Sequence, residues 1–266
     1  PQRFPKAWAA IEALQGRIDE QAMIAMNARA ELKSEPFDAI ARSFLAQGHA
    51  GGTAQTDRGF MAKLLGPDLG RLARQHLLLV AASVGLAMLV AVPLGICIFP
   101  MQRVRAVVLG LTGLLQTVPS LALLAILISL LGIIGTLPAL IALTLYSLLP
   151  IMSNTVTGLA QVSEGLRQAG TALGMTHAQN LRLVQLPLAL PTLVAGVRTA
   201  TAIAIGTATI AAFVGAGGFG ERIVTGLALN DRALLLAGAL PAAGLALASE
   251  ALFELLQWWM RKRQRR

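Results

Sequence analysis

The segment Gln168-Ala169-Gly170-Thr171-Ala172-Leu173-Gly174, running on to Val184-Gln185-Leu186-Pro187, is polar and helix-patterned and lies between two very apolar segments. One short apolar face at helical spacing is formed by Leu166, Ala169, Gly170 and Leu173. Gly174 predicts a helix end and a second apolar pattern resumes before Pro187, so we predict a helix, a turn and a second helix. Short helices between membrane spans have no bilayer to fill, so this face either packs on the spans or binds another protein. An ordinary amphipathic loop at the membrane interface is the alternative.

The composition excludes a soluble domain. Of 266 residues, 55% are hydrophobic and 13% are charged, and the mean hydropathy is +0.67, which is typical of a membrane protein. The net charge of +9 comes from basic residues spread along the chain or gathered at its end, without the interleaved aromatics of a nucleic-acid site. Cys97 is the only cysteine and the histidines are far apart in sequence, so we expect no metal site and no cofactor.

Residues 1–48 differ from the rest of the chain, because charges of both signs alternate there with modest apolar periodicity. Three short helices are predicted: about 5–14, a second after Asp19, and a third that follows Ser34 and ends before Gly48. So short a piece rarely buries a core of its own, so we expect it to complete a domain whose larger part lies outside this sequence. No leader peptide is visible, and we expect a fragment or a processed chain. Residues 49–71 are predicted to be a linker.

Beyond the linker, hydropathy predicts an all-α integral membrane domain over residues 72–257 with about five spans of roughly 20 residues each. The spans are predicted at 77–99, 106–131, 137–157, 188–213 and 233–257, and a basic tail follows at 258–266. Lys and Arg concentrate after spans one, three and five, where the positive-inside rule puts the cytoplasm. The loop at 160–186 and the carboxyl terminus are therefore expected to be cytoplasmic, and the short helical amino-terminal piece extracytoplasmic.

Span four combines a packing surface with a charge. A small residue recurs at every fourth position, at Gly196, Ala200, Ala204, Ala208 and Ala212, which predicts close helix contact. Arg198 lies in the same span and needs a partner or water inside a bilayer. It either faces the translocation path or an intramembrane acceptor, or it extends towards the cytoplasmic headgroups.

Near mid-depth, span two carries the polar residues Gln116, Thr117 and Ser120 beside Pro119. Pro119 removes one backbone donor and leaves a carbonyl without its helical partner. Polar residues beside a mid-span proline predict a kinked helix that lines a wet path, and a purely structural kink is the alternative. These four residues and Arg198 are the candidate lining of a translocation path.

The segment Gly215–Gly220 matches the dinucleotide-binding pattern formally, but that pattern has meaning only after a strand in a βαβ unit. No such unit is predicted, and the glycines instead predict a tight turn or a shallow re-entrant cap after span four. No phosphate-binding loop and no catalytic triad can be assembled from the sequence. We therefore expect no enzyme, so that any ATP hydrolysis belongs to another chain.

The loop after span three resembles the coupling loop of ABC importer permeases, whose motif reads Glu-Ala-Ala, three residues, Gly, nine residues and Ile-x-Leu-Pro. The motif positions are matched with their spacing intact by Gln168, Ala169, Gly170, Gly174, Val184, Leu186 and Pro187. Three positions depart from the motif, because Gln168 replaces Glu, Gly170 replaces Ala and Val184 replaces Ile. The first departure removes a charge, and the other two are expected to be mild. The resemblance covers about residues 72–257.

Within that family, the segments 116–124, 196–201 and 215–220 resemble the permeases for glycine betaine, carnitine and choline. Residues 1–48 resemble the carboxyl-terminal end of the binding protein that captures such quaternary ammonium solutes. The resemblance implies an osmoprotectant importer of the cell (inner) membrane: a homodimer of permeases with two cytoplasmic ATPases docked on residues 165–186. Substrate would come from the binding domain, whose aromatic cage would lie in its missing part. Closure of the ATPases would drive alternating access.

Other classes of membrane protein stay open at this point. A secondary transporter or channel needs no ATPase and would be favoured by intramembrane carboxylates, of which the spans offer Glu250 and Glu254. An ABC permease for another small solute, or a structural or receptor-like membrane protein, is also consistent with the spans.

Overall fold

The computed structural model describes residues 18, 20–33, 35–46, 60–229 and 231–264, and the regular elements within these ranges are all helices. The first helices are α1 (Glu20–Lys33), α2 (Phe37–Ala46), α3 (Phe60–Leu64), α4 (Leu69–Ile98), α5 (Gln102–Thr117) and α6 (Ser120–Leu131). They are followed by α7 (Thr136–Gln161), α8 (Glu164–Ala172), α9 (His177–Asn180), a π-helical turn (Leu181–Gln185) and α10 (Leu186–Ala211). A 3₁₀ turn (Ala212–Val214), α11 (Gly220–Ala228) and α12 (Arg232–Gln264) complete the described part.

Four helical stretches are long and apolar enough to cross a membrane, at Leu69–Ile98, Thr136–Gln161, His177–Val214 and Arg232–Met260. A fifth candidate is the pair α5 and α6, which pass the same test together. The predicted all-α integral membrane fold with about five spans is therefore confirmed. The first span begins at Leu69 rather than at residue 77, because the helix continues through the polar residues that precede the apolar run.

Span two is not the kinked helix that the sequence predicts, because the chain breaks there and α5 and α6 meet at 100°. Val118 has an extended backbone with ψ 127°, and Pro119 follows with ψ 138°. A residue before proline avoids the α conformation, and proline has no N–H for the helical ladder, so both residues leave the helix and α6 restarts at Ser120.

The core of the membrane domain is formed by α4, α7 and α10. The predicted ridge of small residues lies in it, since Gly196, Ala200, Ala204 and Ala208 are buried, while Ala212 is half-buried. A methyl group on Gly196 would lie 2.6 Å from the Pro150 carbonyl oxygen on α7. The ridge is thus a helix contact within this chain, as small residues in membrane helices allow.

The chain divides into two compact units. One contains the described residues before Asp68 together with Arg222–Gly238, and the other contains Asp68–Glu221 and the chain from Ala239 onward. In the first unit the Arg222 side chain is buried and donates to the carbonyl oxygens of Leu64 at 3.0 Å and Ala237 at 3.1 Å. Lys63 Nζ lies 2.7 Å from Asp231 Oδ2.

The helices predicted for residues 1–48 agree with the structure in part. The second and third predicted helices correspond to α1 and α2. The helix predicted at about 5–14 lies outside the described residues, as does much of the predicted linker. Residues 222–238, which the sequence assigns to the membrane domain, cluster with the amino-terminal helices.

Candidate functional site

The loop at 163–186, which we call the coupling loop, is built as a helix, a turn and a second helix. Helix α8 ends at a left-handed glycine, since Gly174 has φ +80° and its N–H donates to the Thr171 carbonyl oxygen at 2.9 Å. Thr176 then caps α9: its hydroxyl accepts from the Gln179 N–H, and the Gln179 side chain accepts from the Thr176 N–H at 2.8 Å. The predicted helix end at Gly174 is confirmed.

An asparagine on the far side of the turn holds the two arms of this loop together. Asn180 is 4% exposed, and its Nδ2 donates to the Arg167 carbonyl oxygen at 2.8 Å. Its Oδ1 accepts from Gln185 Nε2 at 3.2 Å. Gly170 lies directly against this amide, where a methyl group would be 2.5 Å from Asn180 Nδ2. The sequence suggested that Gly170 is a mild departure from the motif's second alanine. The structure shows a larger difference, because Asn180 fills the space that the alanine's methyl group would take.

Arg167 joins the coupling loop to the end of α7 and to the end of α4. Its guanidinium donates to the carbonyl oxygens of Leu159 at 2.9 Å and Val162 at 3.0 Å. Its Cζ lies 5.2 Å from the centre of the Phe99 ring, which suits a cation–π contact. Arg105 approaches the same residue and donates to the Phe99 carbonyl oxygen at 3.0 Å. The loop is thus tied to two spans by one side chain.

One face of α8 and of the residue that ends it is exposed. Leu173 is 79% exposed, and Leu166 is also exposed, together with Gln168 and Ala169. Of the other motif residues, Gly174 and Pro187 are exposed, Val184 and Leu186 are half-buried, and Gly170 is buried. The predicted apolar face therefore points away from the spans along α8, and only Gly170 belongs to the interior of the loop.

The second arm of the coupling loop continues into span four without interruption, whereas the sequence predicts a short helix followed by a span from residue 188. Helix α9, the π turn and α10 form one helical stretch from His177 to Val214. At the π turn the Leu186 N–H donates to the Leu181 carbonyl oxygen, five residues back. This wider turn separates successive turns of backbone just before Pro187, whose ring would collide with a carbonyl in a regular helix.

The break in span two forms one wall of an open cavity of about 370 Å³. The cavity is lined by Gln116, Thr117, Val118, Pro119, Ser120, Tyr146, Ile203 and Thr207. Gln116 Nε2 donates to the Tyr146 carbonyl oxygen at 2.8 Å, and the Tyr146 hydroxyl donates to the Val118 carbonyl oxygen. The three polar residues predicted in span two, Gln116, Thr117 and Ser120, are therefore together with Pro119 in this cavity.

Arg198 does not line this cavity. Its Nε donates to Glu250 Oε1 at 2.7 Å, and its Nη2 contacts the same oxygen. The pair joins α10 to α12, so that the charge of Arg198 has a carboxylate partner on the next span.

Comparison with known proteins shows the family to which this membrane protein belongs. Residues 83–266 match the family described as binding-protein-dependent transport system inner membrane component. This chain belongs to that family. It is therefore a permease component, a translocation subunit rather than an enzyme.

Relatives of this permease are named as permease proteins for osmoprotectants, carnitine or choline. The osmoprotectant import permease protein OsmW of Salmonella typhimurium is 46% identical over 193 residues, which cover 71% of this chain and 90% of the relative. The carnitine transport permease protein OpuCD of Listeria monocytogenes is 45% identical and covers 67% of this chain and 80% of its own length. The choline transport system permease protein OpuBD of Bacillus subtilis is 45% identical, and the match covers 69% of this chain and 81% of the relative.

A solved structure shares the fold of this permease. A chain of the inward-facing MetNI methionine ABC transporter has a TM-score of 0.65 and is 20% identical, with 72% of this chain and 95% of that chain covered. At this identity the likeness shows the fold alone.

Three residues of the permease were missed at the level of sequence: Asn180 in the coupling loop, and Tyr146 and Thr207 in the cavity. Tyr146 is the only tyrosine of the chain and lies in an apolar span, which is a signal that could have marked it. Asn180 carries no such signal, because single polar residues are common near span ends. Thr207 carries none either, because a threonine inside a helix commonly donates to a backbone carbonyl of the same helix.

Proposed function

We propose that this permease is the membrane subunit of an ATP-driven importer of quaternary ammonium osmoprotectants such as glycine betaine, choline or carnitine. The relatives named above carry carnitine, choline or osmoprotectants in their names, and identities of 45–46% over two thirds or more of the chain support the same substrate class here.

The observation that carries the proposal is the exposed face of α8 beside the left-handed Gly174. A leucine that is 79% exposed at the end of a helix outside the spans, beside exposed Leu166, favours a protein partner. We infer that a cytoplasmic ABC ATPase docks on residues 165–186, with Gln168, Ala169, Gly170, Gly174, Val184, Leu186 and Pro187 forming or shaping the surface.

The connections of the coupling loop support a mechanism of alternating access. A push on α8 passes through Arg167 to the ends of α7 and α4, and a push on α9 passes straight into α10, since the helix is continuous there. Closure of two ATPases would thus move three spans as rigid bodies in each copy of a permease homodimer. The spans would open alternately to the two sides of the membrane.

The orientation and the amino-terminal piece belong to the same proposal. We infer that the permease lies in the cell (inner) membrane with residues 160–186 and the basic tail at 258–266 in the cytoplasm. Residues 1–48 would then be extracytoplasmic and would form the carboxyl-terminal end of a fused substrate-binding domain. The domain boundaries at 49–71 and 72–257 are part of this proposal.

Gln116, Thr117, Pro119 and Ser120 would line the translocation path, as the cavity at their helix break supports. Arg198 would act beside the path rather than in it, because its guanidinium is held by Glu250. The same ion pair weighs against an ion-coupled secondary transporter, since it neutralises one of the two carboxylates in the spans that could bind the coupling ion.

The docking assignment is tested by copurification of the ATPase with the full-length permease from membranes. Gly174→Glu and Leu173→Glu should each release the ATPase and abolish uptake, while the permease still inserts. Met101→Glu is the matched control, because Met101 is exposed and follows the Phe99 that contacts Arg167. ATPase retention by both loop variants, or equal loss with Met101→Glu, contradicts docking on this loop.

A further inference from the structure

The cavity at the break of span two has a lining of unusual polarity. Its four hydroxyl groups belong to Thr117, Ser120, Tyr146 and Thr207, and its amide belongs to Gln116. None of the eight lining residues carries a charged side chain. At about 370 Å³ the cavity falls at the lower end of the range of small-molecule sites, roughly 300–1,000 Å³.

Most donors of this lining are already used by the protein. Thr117 Oγ1 donates to the Leu114 carbonyl oxygen at 2.7 Å, and Thr207 Oγ1 donates to the Ile203 carbonyl oxygen at 2.9 Å. The Tyr146 hydroxyl donates to Val118, and one N–H of Gln116 donates to Tyr146. Ser120 is the single lining hydroxyl whose hydrogen has no protein acceptor within the described residues.

What the lining offers a ligand is therefore mainly oxygen lone pairs. A hydroxyl oxygen has two acceptor positions, and each of these oxygens keeps them when its hydrogen is directed at a backbone carbonyl. Partial negative charge without a formal charge attracts a cation whose charge is spread over several methyl groups. It repels an anion, and it cannot replace the hydration shell of a compact metal ion, which requires carboxylates or a full set of oxygen ligands.

We propose that this cavity is a binding site for the trimethylammonium head of the substrate on its way through the permease. Thr117 and Thr207 present acceptor oxygens to the head, and the Ser120 hydroxyl is left to donate to the polar group at the substrate's other end. The inference rests on the proposed function, because it takes the quaternary ammonium substrate class from there. It adds the place and the chemistry of recognition within the spans.

Thiol labelling of the full-length permease with its ATPase in membrane vesicles tests this site. In a background with Cys97→Ala, which removes the only cysteine of residues 1–266, Thr207→Cys or Thr117→Cys places a thiol at the cavity wall, and labelling is compared with that of the background alone. A methanethiosulfonate bearing a trimethylammonium group should react faster than one bearing a sulfonate. After normalisation to a free thiol, we expect a ratio of about tenfold or more, and the compound that the permease takes up (glycine betaine, choline or carnitine) should slow the reaction. Two positions are used so that one poorly folded variant does not decide the result.

Thr201→Cys is the matched control. Thr201 lies on the same helix as Thr207 and makes the same bond, from Oγ1 to the Val197 carbonyl oxygen at 2.8 Å, but it does not line the cavity. Its labelling should not depend on glycine betaine. Equal rates for the two reagents at both cavity positions overturn the site, as does a labelling rate that is not slowed by whichever of glycine betaine, choline and carnitine the permease takes up.

Uptake of labelled glycine betaine, choline and carnitine by the Cys97→Ala permease separates the two proposals. Uptake without cavity selectivity would refute the site and leave the importer standing. A permease that takes up none of the three compounds would refute the proposed substrate class itself.

Discussion

Gly170 lies against the side chain of Asn180 in the coupling loop, where a methyl group on Gly170 would be 2.5 Å from Asn180 Nδ2. Asn180 is fixed there by its bonds to Arg167 and Gln185, so it cannot move aside without losing them. The buried Asn180 therefore requires a glycine at position 170, because any side chain there would displace its amide.

Restoring the alanine of the family motif should weaken this permease. Gly170→Ala pushes Asn180 away from the Arg167 carbonyl, and overpacking of this kind costs about 1–3 kcal/mol. We expect less ATPase retained on copurification and slower uptake. Gly165→Ala is the control on the same helix, since a methyl group there meets no atom within 4 Å.

The double variant Gly170→Ala with Asn180→Ala gives the coupling between the two positions. The double variant should recover part of the ATPase retention and uptake that Gly170→Ala loses, because the Asn180 amide that the new methyl group would meet is gone. Recovery should be incomplete, because the hydrogen bond to the Arg167 carbonyl oxygen is also gone. If Gly170→Ala alone behaves like Gly165→Ala, the contact has no consequence for docking.

The Arg198–Glu250 pair should behave as a unit. Arg198→Met leaves a carboxylate in a span without its partner, and Glu250→Met leaves a guanidinium there, so each should lower the thermal unfolding temperature in detergent. Arg198→Met combined with Glu250→Met should be more stable than Arg198→Met alone, because no unpaired charge is left. Losses that add up in the double variant would show that the pair contributes nothing.

Removing one acceptor oxygen from the cavity should affect substrate affinity rather than assembly. Thr207→Val keeps the shape of the side chain and should raise KM for glycine betaine about fivefold, as the loss of roughly 1 kcal/mol of interaction predicts. Thr201→Val should leave KM unchanged. The amount of ATPase bound serves as the check that both variants assemble, and equal KM values for the two variants would contradict a role for the cavity.

The stability of the first unit should depend on pH through Asp231. Burial by itself raises the pKa of Asp231, but the bond to Lys63 and the N–H of Leu234 outweigh it and hold the pKa below its ordinary value. A carboxylate with a depressed pKa stabilises the fold above its unfolded pKa of about 3.9, and the contribution is lost as pH falls through the folded value.

Asp231→Asn tests this dependence while keeping an oxygen that can accept from Leu234. At pH 7 it should destabilise the unit by about 1 kcal/mol, and the difference from the parent protein should shrink towards low pH. Hydrogen exchange of the backbone amides in α3 and at the start of α12 reports the stability of this unit in both proteins, from pH 7 down to low pH. A difference that is the same at every pH would show that the charge of Asp231 is not involved.

The amino-acid sequence by itself determined the membrane class, the number of spans, the end of α8 at Gly174 and the buried ridge of span four. These features follow from the composition and periodicity of single segments: an apolar run of sufficient length must cross the bilayer, and a small residue every fourth position lies on one helical face. The coupling-loop spacing is equally local, since its residues lie within one segment of the chain.

Only the tertiary structure decided which segments meet. It put Asn180 against Gly170, Thr207 and Tyr146 beside the polar residues of span two, and Glu250 on Arg198. Periodicity fixes the face on which a side chain lies but not the helix that this face will contact, because that depends on how the spans cross. The 100° break at Pro119 is of the same kind: proline predicts a weak point in a helix, while the angle is fixed by the helices packed around it.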